Sequence, residues 1–217
     1  YLKTFRPKLI VNVVGKTIDE YCAVAGKLDD TDADLLEINI SCPNIKEGGI
    51  SFGADPRMAA EITRAVKKTT GKPVIMKLTP NVTDIAEIAR AVESEGADGV
   101  SLINTLLGMR IDVHNRKPVL WNRMGGLSGP AVKPVAVRMV YQVRRAVKIP
   151  IIGLGGIMTG EDAAEFLMAG ADAVSVGTAA LVDPTAPLRI KKELIEFMDH
   201  YGYRNLQQIR EAFLESS

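Results

Sequence analysis

Gly96-Ala97-Asp98-Gly99-Val100-Ser101 returns 74 residues later as Gly170-Ala171-Asp172-Ala173-Val174-Ser175. Ahead of each copy stands a second shared phrase, Lys72-Pro73-Val74-Ile75 and Ile149-Pro150-Ile151-Ile152, offset by 77 residues. Two phrases recurring at nearly equal offsets mark a repeated two-unit βαβα block. Around them lie six short apolar runs, at 9–14, 35–40, 74–78, 99–103, 149–154 and 173–176. Their hydrophobicity is continuous rather than alternating, which predicts parallel strands covered on both faces.

Helix-period segments fill the gaps. Thr17 followed by Glu20 reads as a capping box, with Ile18, Tyr21, Cys22 and Ala25 on one face. Asp55-Pro56 opens the next helix, with proline at its first position. Further apolar faces are Ile85, Ile88, Ala89 and Val92; Val135, Met139, Val140 and Val143; and Ala163, Phe166 and Leu167, closed by Gly170. A helix over about 188–201 and a tail helix with Leu206, Ile209 and Phe213 complete the pattern.

Strand then helix, six times over, predicts the α/β class and a (β/α)8 TIM barrel of which residues 1–217 supply about six βα units as a single domain. On that reading two further units precede Tyr1. An open doubly-wound sheet is the alternative, though its Gly-x-Gly-x-x-Gly after the first strand is missing. The 217 residues carry a net charge of +1 and no basic block, which argues against a nucleic-acid partner. Two cysteines supply neither a disulfide framework nor the four thiolates of an iron–sulfur cluster. No apolar run approaches the roughly 20 residues of a membrane helix, and the first residues are not built as a signal peptide. A soluble, cytoplasmic protein is expected, with no membrane partner. His114 and His200 lack partners at recognisable spacing, and no metal site is expected.

Barrel chemistry gathers where strands end. Here the ends read Asn39, Ser41, Cys42, Pro43 and Asn44; then Lys77; then Asn104-Thr105; then Gly155-Gly156; then Gly177-Thr178. The two glycine turns are either tight strand-to-helix turns or a nest of backbone N–H groups for phosphate, and their place on the last two strands favours the nest. Lys77, closing the apolar Val74-Ile75-Met76, either snorkels to solvent or faces negative charge on a ligand. Cys42 is either a small buried hydrophobe or a base for proton transfer. Asn39, Asn44 and Asn104 are either turn residues or the donors and acceptors that meet a planar ligand. Cys22, on a helix face, reads as core. The long segment 106–130 reads as a loop lining the site in part, and the glycines after Cys42 as a movable lid.

Taken together, Glu37-Ile-Asn-Ile-Ser-Cys-Pro-Asn44, Lys77 with Pro80-Asn81, Ile103-Asn-Thr105, Gly125-Gly-Leu-Ser-Gly-Pro130, Gly153-Leu-Gly-Gly-Ile157 and Val176-Gly-Thr178 resemble class 1 dihydroorotate dehydrogenase. Ser51-Phe52-Gly53 and Leu106-Leu-Gly-Met-Arg-Ile-Asp112 resemble its 1B branch, which passes electrons to NAD. The resemblance implies oxidation of dihydroorotate to orotate in pyrimidine synthesis, on FMN held at the barrel mouth. It implies Cys42 as the catalytic base at C5 and Lys77 beside the flavin. It implies Asn39, Asn44, Asn104 and Thr105 around the substrate, and Ser128, Gly129, Gly155, Gly156, Gly177 and Thr178 around FMN. A homodimer and an iron–sulfur flavoprotein subunit carrying FAD and [2Fe-2S] are further implications. The alternatives are a dihydropyrimidine dehydrogenase-type barrel and a non-catalytic barrel fragment.

Overall fold

The computed structural model describes residues 7–41 and 52–213. Six parallel strands form one sheet: β1 (Ile10–Val13), β2 (Leu35–Asn39), β3 (Val74–Lys77), β4 (Gly99–Leu102), β9 (Ile151–Leu154) and β10 (Ala173–Ser175). Their order in space is their order in the chain, and every pair is parallel. Helices α1 (Ile18–Asp29), α2 (Pro56–Thr69), α3 (Ile85–Ser94), α4 (Lys133–Arg144) and α5 (Gly160–Met168) alternate with them, each touching the next. A doubly-wound sheet reverses its strand order at a switch point; this one never does. The winding is that of a (β/α)8 barrel, with six βα units present. The sixth unit ends in α6 (Thr178–Val182), after which α7 (Ala186–Tyr201) packs on α5, and α8 (Leu206–Glu211) does the same.

The core lies between sheet and helices, where Leu36, Ile38, Met76, Val100 and Ile151 meet Ile62, Val66, Val92, Val140 and Phe166. Complete burial of one such side chain contributes about 1.5–3 kcal/mol. Cover on both faces holds for β4 and most of β3, but β2 and β9 alternate between buried and half-exposed. In β2 the half-exposed positions include the polar Glu37 and Asn39 on the face away from the helices, whereas in β9 they are Ile152 and Leu154.

Helix starts follow their signals. Asp55 accepts the Arg57 N–H at 2.8 Å with Pro56 next in line. Thr17 accepts the Glu20 N–H at 3.2 Å, but the Glu20 carboxylate turns to the Lys16 N–H instead of closing the box. A complete box forms at α5 between Thr159 and Asp162. Phe213 lies beyond α8 and stacks edge-on against Tyr141.

The 106–130 segment departs most from expectation. It is largely an antiparallel arm, in which β5 (Leu106–Met109) pairs with β8 (Met124–Leu127), and β6 (Ile111–Asp112) with β7 (Lys117–Pro118). Glycines at 108, 125 and 126 hide the strand pattern, and β5 finds its partner only across the intervening turn.

The repeated phrases acquire a physical meaning here. Asp98 accepts the Val74 N–H on its carboxylate at 2.7 Å and donates its own N–H to the Val74 carbonyl at 2.9 Å. Asp172 does the same with Ile151, at 2.9 and 2.8 Å. A third copy is formed by Asp34 and Leu9, at 2.8 and 2.9 Å. Each clamp joins the start of one strand to the start of its neighbour, in β3–β4, β9–β10 and β1–β2. At the intervening seams the carbonyls of Pro73 and Pro150 accept from Leu36 and Val100, both at 2.9 Å.

Removing a charged acceptor from a backbone N–H costs about 2 kcal/mol. We expect Asp98→Ala to lose about that much in urea denaturation, and Asp98→Asn, which keeps an acceptor, to recover most of it.

Candidate functional site

The strand exits converge on one cleft of about 230 Å³, lined among others by Lys77, Asn104, Thr105, Ser128, Gly129, Gly155, Gly156, Gly177 and Thr178. Nine of the twelve site residues expected from the sequence share this cleft. Asn39 joins them through its side-chain oxygen, 3.3 Å from the Asn104 amide nitrogen. Cys42 and Asn44 lie outside the described residues, as does most of the expected lid.

Backbone bonding sets the height of each exit. Leu78 donates to the Ser101 carbonyl at 2.8 Å, Asn104 to the Leu78 carbonyl at 3.1 Å, and Ile103 to the Leu154 carbonyl at 2.8 Å. Tyr21, buried in α1, donates its hydroxyl to the Asn39 carbonyl at 2.6 Å. The buried Ser41 hydroxyl donates to the Asn39 side-chain oxygen at 2.7 Å and accepts from the Asn104 amide. Thr105 donates its N–H to the Asn104 side-chain oxygen at 2.7 Å. A side chain at Gly126, in the arm, would collide with the Thr105 hydroxyl. The two asparagines are therefore fixed by the Ser41 hydroxyl, which donates to one and accepts from the other, and by the Thr105 N–H.

Lys77 does not rely on snorkelling, because its ammonium stands 3.8 Å from the Glu37 carboxylate, with both side chains mostly buried. Glu37 also accepts from Asn12 at 2.5 Å and Ser101 at 2.7 Å. Charge and carboxylate together meet the desolvation that a lone buried lysine would suffer. Glu37, Ser41 and Tyr21 stand outside the residues assigned roles from sequence. A carboxylate in a strand that also ends in a polar exit is the signal that would have found Glu37.

At the far side of the cleft, the N–H groups of Gly155, Gly156, Gly177 and Thr178 donate to no described residue. Four N–H groups without a partner among the described residues, at two adjacent strand exits, are a ready anion cradle. Nothing lies within 4 Å of where a side chain on Gly177 would begin. Gly156 has φ +83, and a side chain there would meet the Gly129 carbonyl at 2.6 Å. The Thr178 hydroxyl donates to Ser128 at 2.9 Å, closing the rim. This donor set fits the phosphate of a mononucleotide cofactor.

Behind the cradle, Lys133 pairs with Asp162 at 2.6 Å and Glu165 at 2.7 Å. Those hydrogen bonds hold the Lys133 ammonium above its usual range. Burial pushes the Asp162 carboxyl up, but bonds from Lys133 and from the Met158 and Thr159 N–H groups outweigh it and hold the carboxyl below its usual range.

A singly wound barrel with a phosphate cradle on its last two strands, and a lysine and fixed amides across the cleft, belongs to the class of barrel enzymes that work on a bound nucleotide cofactor. Comparison narrows the class. The dihydroorotate dehydrogenase family profile matches residues 2–198. A protein of Alkaliphilus metalliredigens named dihydroorotate dehydrogenase B (NAD(+)), catalytic subunit, is 59% identical over 210 residues, covering 97% of this chain and 70% of that one. One of the same name from Desulforamulus reducens is 61% identical, covering 94% of this chain and 66% of that one. Among solved structures, dihydroorotate dehydrogenase of Eimeria tenella, in complex with ferulenol, superposes with a TM-score of 0.74 at 26% identity, covering 91% of this chain and 58% of that one. The chain belongs to the dihydroorotate dehydrogenase family, oxidoreductases that are flavin-dependent in general, and within it to the B branch.

Two outcomes test the geometry. Gly156→Ala forces a strained φ against backbone and should cost about 1–3 kcal/mol in denaturant titration. Asp162→Asn should be less stable than wild type at neutral pH. Because the folded carboxyl titrates low, that difference persists above about pH 4 and fades as acid protonates the wild-type carboxylate; thermal melts across pH 3–7 check it.

Proposed function

We propose that residues 1–217 are one FMN-binding barrel domain of an enzyme that oxidises dihydroorotate to orotate, a step of pyrimidine synthesis. The carrying observation is the cleft itself, where four N–H groups with no partner among the described residues stand across from Lys77 and the Asn39–Asn104 pair. The names of the relatives favour this substrate over that of a dihydropyrimidine dehydrogenase-type barrel.

Gly155, Gly156, Gly177 and Thr178 hold the FMN phosphate, with Ser128 and Gly129 beside them. FMN, when bound, supplies the acceptor for the hydride that leaves C6 of dihydroorotate. Lys77 places a positive charge where negative charge develops, and Glu37 keeps that charge at the strand end. Asn39, Asn44, Asn104 and Thr105 orient the planar substrate through amide and hydroxyl groups. Cys42 takes the C5 proton. An unperturbed thiol has a pKa of about 8.5, so a fraction is already thiolate at neutral pH.

Electrons leave through a second subunit, an iron–sulfur flavoprotein carrying FAD and [2Fe-2S], and the catalytic chain is a homodimer. Supporting an interface is the arm, where Leu107, Met109, Ile111, Val113 and Met124 are more than half exposed and Trp121 is 99% exposed. No described helix is long and apolar enough to cross a membrane; the site of action is the cytoplasm.

Cys42→Ser should retain FMN but slow anaerobic reduction by dihydroorotate about 10²–10⁴-fold, the range for a lost general base. Stopped-flow bleaching of the flavin measures this, and an unchanged rate removes Cys42 from the mechanism.

A further inference from the structure

We propose that Asn81 is a positioning residue for the substrate, locking the Asn104–Thr105 exit and the root of the arm to the end of β3. The inference rests on the function proposed above and adds to it a residue that touches neither cofactor nor substrate.

Asn81 stands four residues after Lys77, behind Pro80. Its side-chain amide nitrogen donates to the Thr105 carbonyl at 3.0 Å, and its side-chain oxygen accepts the Leu107 N–H at 2.9 Å. One side chain thus meets a carbonyl and an N–H two residues apart, as the edge of a neighbouring strand would. The buried Thr79 fixes its aim, because the Thr79 hydroxyl oxygen accepts both the Asn81 amide nitrogen at 3.1 Å and the Asn81 N–H at 3.2 Å.

The contact falls where the main-chain ladder stops. Asn104 is still bonded to the Leu78 carbonyl, but no backbone bond joins residues 105–107 to β3 or its exit among the described residues. From Thr105 onward the chain turns into β5 and the arm. Without Asn81, among the described residues the Thr105 peptide is hydrogen-bonded only through the Asn104 side chain, one of the groups meant to meet the substrate. With it, Thr105 is fixed on its N–H and its carbonyl, and the Asn104 side chain stays in place. A second cleft of about 100 Å³, lined by Ser41, Thr79, Asn81, Thr105 and Gly126 among others, lies along this junction and shares Thr105 with the main cleft. The cradle of Gly155, Gly156, Gly177 and Thr178 has no bond to Asn81, so the effect should fall on substrate and spare the cofactor.

The test is calorimetric titration of the full-length, FMN-loaded protein with orotate, alongside flavin content and melting temperature. Misplacing a binding group by about 1 Å can cost on the order of 10²-fold. Asn81→Leu, which keeps the size and loses both bonds, should weaken orotate binding about 10-fold to 100-fold and raise KM for dihydroorotate, leaving FMN occupancy and melting temperature at wild-type values. Thr79→Val, which frees the Asn81 amide without removing it, should shift binding in the same direction by less, and it decides the matter if Asn81→Leu does not fold. Wild-type binding in both variants overturns the inference alone. Weakened binding accompanied by FMN loss and a lowered melting temperature overturns it in favour of a general structural role. A wild-type protein that binds FMN but no orotate overturns the proposed function and the inference with it.

Discussion

Parallel strands of three to five residues have little room for error, because a slip of one position turns every side chain to the opposite face. The aspartate clamp removes that freedom. Placed one residue before a strand, Asp98 and Asp172 each seize both polar groups of the residue that opens the neighbouring strand, and Asp34 those of Leu9, just ahead of β1. Levelling the strands at one end levels them at the other. Asn39 lies opposite Lys77 and Lys77 opposite Ser101, so the polar exits stand side by side rather than stepping around the sheet. The cleft is the far consequence of carboxylates on the opposite side of the molecule.

Above the clamps, the inner face of the sheet is a polar network rather than a dry core. Glu37 gathers Asn12, Ser101 and Lys77, and Ser41 gathers Asn39 and Asn104. Each group that would face a ligand is held by another that would not. Such pre-organisation lowers what must be ordered when a small planar molecule arrives.

Much of this was legible in the sequence. The six strands, the helices α1 to α5, α7 and α8, and seven residues of the main cleft follow from apolar runs, caps and polar strand ends, while Ser128 and Gly129 came from the resemblance. The third copy of the clamp was hidden because Pro7-Lys8-Leu9 spaces proline one residue further from the clamped position than Pro73-Val74 does. The arm was read as a loop because its glycines dilute the strand signal and its pairing is antiparallel across a long turn. The supporting residues were hardest to see, since a serine, a tyrosine and an asparagine gain meaning only from what lies beside them in space. Roles for Cys42 and Asn44 came from resemblance, and they stand beyond the described residues.

The cradle has a further consequence. Its four N–H groups, without partners among the described residues, come from the exits of β9 and β10, the last two described strands, whose mutual ladder ends at Ser175 and Leu154. A phosphate seated there would complete hydrogen bonding that the described residues leave undone, stitching this βα unit to its neighbour. Ligand that binds only the folded form adds stability that grows with the logarithm of its concentration. Cofactor supply would then govern how long the protein survives in the cell as well as how fast it works, and scarcity would show first as fraying of the last strand.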